Sequence, residues 1–107
     1  CNLCNYYIVY YSISYLLRME KFIVFGEYCE DAIKKREPFR NEHLKRLRNL
    51  KDRNILVTLG PTKCSKYLFG IFNANDTKQL RELIEKDIYW REGIWISFDI
   101  YPWIQAI

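Results

Sequence analysis

The chain has 107 residues and a formal net charge of +4, with 17 Lys and Arg against 13 Asp and Glu. That length holds one domain with a modest core, and 50% hydrophobic with 28% charged residues excludes a disordered or collagen-like polymer. Eighteen aromatics (3 Trp, 9 Tyr and 6 Phe) supply so much rigid apolar area that some must serve an interface or a pocket. The mild basic excess permits an anionic ligand without demanding nucleic acid.

Charge is unevenly spread. Residues 1–18 carry one charge, Arg18, and five of the aromatics, and the only methionine, Met19, stands at their boundary. We read residues 1–18 as an N-terminal extension of upstream or added sequence, and residues 19–107 as the domain. The rival reading is a targeting segment, because residues 6–17 are uncharged and about as long as a signal-peptide core. A positive leader and a small-residue cleavage site are missing, and the stretch is short of the roughly 20 residues a membrane helix needs. No membrane association is therefore expected. Cys1 and Cys4 form a C-x-x-C without the second pair a zinc site needs, and Cys29 and Cys64 stand alone. We take all four as incidental small hydrophobes of a cytoplasmic protein.

From Met19 onward six elements follow. Residues 21–28 are β-branched and aromatic and predict a strand. Residues 32–38 are a charged connection, with Pro38 placed to open a helix at Phe39 or Arg40. Leu44, Leu47 and Leu50 share one face of that helix, which runs to a turn near 52–54. A short strand over 55–59 closes on Gly60-Pro61, and a second follows over 67–73. Asp76 with Gln79 three residues later is a capping-box variant opening a helix whose apolar face holds Leu80, Leu83 and Ile84. Residues 94–101 form the last strand, stopped by Pro102. The order βαββαβ predicts an α+β, ferredoxin-like domain with a four-stranded antiparallel sheet.

The strands over 21–28 and 67–73 are apolar on both faces: Phe22 and Val24 against Ile23 and Phe25, and Tyr67, Phe69 and Ile71 against Leu68 and Phe72. Two helices cover one face of such a sheet, and a face left to water should be polar. A second copy packed sheet to sheet would cover the other, which predicts a two-fold homodimer resembling a barrel.

His43 is the only histidine, and it falls within the arc of Leu44, Leu47 and Leu50 on the helical wheel. There an imidazole is at least partly buried and its protonation is open to tuning, although a hydrogen-bonded core histidine is the commoner outcome of such spacing. Asp87 is the second irregular position, on the apolar side of the second helix where that helix ends. A carboxylate there opposes the helix dipole unless the helix has stopped or a cation compensates.

Three segments carry a family resemblance: residues 36–44 (REPFRNEHL), the strand end at Gly60-Pro61, and residues 86–101 (KDIYWREGIWISFDIY) followed by Pro102-Trp103. On them, residues 21–107 resemble the YciI-like (YCII-related domain) family of dimeric α/β barrels. The resemblance implies a His and Asp active-site pair at His43 and Asp87, and it implies no single reaction. Ile88 follows Asp87 where the family usually has Pro. Related barrels include isomerases, dehalogenating lyases and monooxygenases acting on small cyclic compounds.

As chemistry, Asp87 would fix the tautomer of His43 while the other ring nitrogen moves a substrate proton. An isomerase- or lyase-type step on a small organic substrate, cyclic or open-chain, follows as the expected function. Arg40, three residues before His43, would hold an anionic group; Arg36, Tyr89 and Trp90 complete the expected substrate-binding set. No metal cluster, phosphate loop or dinucleotide fingerprint accompanies them, and no cofactor is expected. Two alternatives belong to other classes: a barrel that binds a small ligand without turnover, and an RNA-binding module suggested by residues 66–72 and 22–26. The RNA motif lacks its glycine after the first basic residue, and its stacking face would compete with the dimer, so nucleic acid is not the expected partner. Alanine at His43 or Asp87 is expected to leave folding nearly intact, with several kcal/mol of lost stability marking a structural pair instead.

Overall fold

Residues 20–28 alternate between two environments, and in the computed structural model, which describes residues 19–107, they form strand β1 (Glu20–Tyr28). Residues 1–18, with the extension reading and the Cys1/Cys4 pair, lie outside the described residues. Phe22, Val24 and Tyr28 are buried, whereas Ile23 is half-buried and Phe25 is exposed. The connection expected over 32–38 folds further than its charge suggested, into a short helix α1 (Ala32–Lys35) and a 3-10 turn (Glu37–Phe39) holding Pro38. Helix α2 (Arg40–Asp52) follows directly.

Strands β2 (Leu56–Pro61) and β3 (Tyr67–Ala74) form the next hairpin, helix α3 (Thr77–Glu85) crosses back, and a four-residue helix α4 (Ile88–Arg91) leads into β4 (Trp95–Trp103). Asp76 caps α3 by accepting from the Gln79 amide at 2.7 Å, and the Gln79 side chain returns the bond to the Asn75 amide at 2.8 Å. The sheet order is β2-β3-β1-β4 and all three pairings are antiparallel, so the ferredoxin-like plan holds.

One strand boundary departs from expectation. Pro102 does not stop β4, because the strand runs on to Trp103 with Pro102 opposite Phe22. β4 is an edge strand, where a residue without an N–H leaves no inner ladder bond unmade.

The helices cover one sheet face. Phe22, Val24, Leu68, Phe72 and Phe98 meet Leu50, Leu80 and Ile84 in a single buried cluster. The opposite face carries Phe25, Phe69 and Tyr101 at 43%, 41% and 55% exposure, and Phe25 stacks on Tyr67 at 5.6 Å. Within the described residues no helix is long and apolar enough to cross a membrane.

Candidate active site

His43 lies on α2 seven residues before Leu50, two helical turns away on the same stripe, and both are buried. The imidazole is thus at the centre of the helix's core-facing surface, 4% exposed. Its floor is Tyr89, stacked at 3.6 Å and 9° between planes, and Trp95 meets both rings edge-on at 5.1 and 5.7 Å. These contacts fix the plane of the ring and allow it little rotation.

Asp87 is 0% exposed and caps α4. The helix has stopped before the carboxylate: α3 ends at Glu85, and Asp87 opens the next helix, where its Oδ1 accepts from the Tyr89 amide at 2.9 Å. The same Oδ1 is 2.7 Å from His43 Nδ1, and Oδ2 accepts from Arg46 Nη1 at 3.0 Å. Arg46 is anchored in turn by Nη2, which donates to the Leu83 carbonyl. Burial pushes the Asp87 carboxyl up, but the hydrogen bond and charge of His43, the Tyr89 amide and the Arg46 guanidinium outweigh it and hold the carboxyl below its usual range.

A carboxylate only accepts, so the proton of a neutral His43 is assigned to Nδ1 and Nε2 is left as the basic nitrogen. Among the described residues Nε2 makes no hydrogen bond. His43 lines a cavity of about 130 Å³ between α2 and the β2 end, together with the polar side chains of Tyr28, Arg36, Arg40 and Tyr89. Leu44, Leu47, Leu59, Gly60 and Pro61 complete the lining. A larger groove of about 780 Å³ runs past Tyr28 to Cys64 and Ile96 but reaches neither His43 nor Asp87. We place the site by the acid–base pair rather than by volume.

The structure therefore brings His43, Asp87, Arg36, Arg40 and Tyr89 to one place. Trp90 is elsewhere: its ring packs edge-on against Phe98 at 5.0 Å and it does not line the cavity, because Tyr89 and Trp90, adjacent on a helix, project about 100° apart. Sequence reasoning missed Arg46 and Tyr28. Arg46, three residues after His43, had a usable signal in that spacing, since a cation one turn on shares the imidazole's face. Tyr28 had none, because its place depends on sheet register. Within the described residues no cluster of three or more metal-ligating side chains occurs.

No curated protein matches the chain. A solved structure of 5-chloro-2-hydroxyhydroquinone dehydrochlorinase from Burkholderia phenoliruptrix AC1100, in complex with 2,5-dihydroxybenzoquinone, is similar with a TM-score of 0.69 and 19% identity. The likeness covers 80% of this chain and 95% of that one, and at this identity it concerns the fold. Residues 20–104 match the YCII-related domain, and the chain belongs to that family.

Proposed function

We propose that the protein is a small enzyme that transfers a proton on a small organic substrate, cyclic or open-chain, through His43 and Asp87, in an isomerase- or lyase-type reaction. The observation that carries this is the buried 2.7 Å contact between His43 Nδ1 and an ionised Asp87, with His43 among the residues that line the cavity. Nε2 takes the substrate proton and Asp87 stabilises the imidazolium that results; in an isomerisation the ring returns that proton to a different atom of the substrate, and in an elimination the leaving group departs with the electron pair of its broken bond while the ring gives the proton up to the leaving group or to water. Arg46 keeps the second carboxylate oxygen occupied, so Asp87 is held in the orientation His43 needs. The similar dehydrochlorinase acts on a small chlorinated ring, which supports a lyase-type step of this kind.

The reading includes a homodimer formed through the exposed Phe25, Phe69 and Tyr101 face, and no cofactor, nucleic acid or membrane partner. Cys29 and Cys64, which form no disulfide among the described residues, fit the cytoplasmic location this reading includes. A barrel that binds its ligand without turnover is the alternative. The test is solvent deuterium exchange, followed by proton NMR, into a panel of small cyclic acids, lactones and chlorinated quinols. Wild type exchanges or converts at least one, and His43→Gln and Asp87→Asn reduce the rate by about 100-fold or more. Folded variants that match the wild-type rate overturn the reading.

A further inference from the structure

Among the described residues, the cavity beside His43 holds positive charge that no carboxylate answers. Among the described residues Arg36 and Arg40 form no ion pair, and the Nε of Arg36 is buried with no hydrogen-bond partner. None of the ten lining residues is a carboxylate, and Asp87, the carboxylate nearest in the network, already accepts from His43, Arg46 and the Tyr89 amide. An arginine N–H removed from water without a partner is unfavourable, and a site that leaves one in place beside a second guanidinium is complete only when an acceptor enters. Burial holds the Tyr28 and Tyr89 phenols above their usual range despite the arginines, so both remain neutral at physiological pH.

The rest of the lining has another chemistry. Leu44, Leu47, Leu59 and Pro61 offer aliphatic surface and no side-chain hydrogen-bonding group. A bare inorganic anion would leave that wall unused, whereas a neutral ring would leave the guanidiniums unanswered.

We propose that the site takes a small cyclic organic anion, a carboxylate, phenolate or enolate whose charged edge is held by Arg36 and Arg40 and whose ring lies on the leucine and proline wall. This deepens the acid–base reading and rests on it only for the claim that the bound anion is also the substrate. Placing cationic groups beside the reacting carbon would also stabilise the negative charge that develops when His43 removes a proton.

The experiment uses benzoate, its neutral isostere benzamide, and sulfate as probes of the intact protein. His43 is the only histidine, so its imidazole C–H signal reports occupancy directly. Benzoate is expected to bind at least about tenfold more tightly than benzamide, as loss of charge-assisted hydrogen bonds requires. Arg36→Met and Arg40→Met, each checked for folding by circular dichroism, weaken benzoate by about fivefold or more and leave benzamide unchanged, while Arg36→Lys and Arg40→Lys recover part of the loss. Equal binding of benzoate and benzamide, methionine variants that bind like wild type, or sulfate binding as tightly as benzoate overturns the proposal. Benzoate held through the arginines, with no proton exchange on any anionic compound of the panel, would sink the acid–base reading alone. Exchange on neutral substrates, with benzoate indifferent to both arginines, would sink the anion site alone.

Discussion

Replacing Asp87 by alanine is expected to destabilise the protein by about 3–5 kcal/mol, contrary to what sequence alone suggested for this pair. The carboxylate is 0% exposed and has three partners at 2.7 to 3.0 Å, so alanine leaves His43 Nδ1, the Tyr89 amide and an arginine N–H without an acceptor. Arg46, with 26% side-chain exposure, can turn partly to water, which keeps the loss nearer the lower end. Asp87→Asn retains a neutral oxygen for the helix cap and for Nδ1, and is expected to cost only about 1–2 kcal/mol. The sign of the pH dependence follows from the lowered carboxyl. Its stabilisation is fully present above the unfolded value of 3.8 and is lost as pH falls through the lower folded value. Urea unfolding followed by circular dichroism, at one protein concentration because the dimer would couple to folding, should show a wild-type to Asp87→Asn gap that is steady near neutral pH and closes in acid. An alanine variant within about 1 kcal/mol of wild type, or a gap that persists unchanged to about pH 2, would refute the reasoning.

Other perturbations test separate parts of the structure. Phe25→Glu and Phe69→Lys place charge on the bare sheet face, and should convert a dimer to a folded monomer in sedimentation; a wild type that sediments as a monomer rejects the sheet-to-sheet arrangement. Gly26→Ala should destabilise by about 2 kcal/mol or more in thermal unfolding, because a Cβ there would run into the Ser97 carbonyl and stand 2.9 Å from the Phe98 Cβ. Asp76→Ala removes the α3 cap and should cost about 1 kcal/mol in the same assay, an effect an unused cap would not show. In alkaline titration followed by tyrosinate absorbance, Tyr28→Phe and Tyr89→Phe should each delete a late-ionising phenol. The raised phenols contribute stability below pH 10.0 that is lost as pH climbs through their folded values.

The legible part of this protein was the part written in short-range patterns. Runs of β-branched and aromatic residues placed the strands, Asp76 and Gln79 announced the start of α3, and the shared face of His43 and Leu50 placed the imidazole on a buried stripe. Pro102 misled because its effect depends on whether its strand is at an edge, which is a property of sheet order. Trp90 misled because adjacency to Asp87 says nothing about which way a side chain projects from a four-residue helix.

Asp87 shows why the site was harder to read than the fold. Its chain neighbours suggested the end of one helix, yet its role is set by the start of another and by two α2 side chains more than 40 residues away, His43 and Arg46. Capping α4 fixes Oδ1, and Oδ1 is the atom that faces His43, so the bond that starts the helix also aims the acid–base pair. The Tyr89 amide on that cap belongs to the residue whose ring underlies the imidazole. A single turn of helix thus supplies the carboxylate, its orientation and the floor of the ring together. Variation at Ile88, between the cap and Tyr89, would act on all three at once, and a substitution that shifts α4 should therefore disturb His43 without touching it.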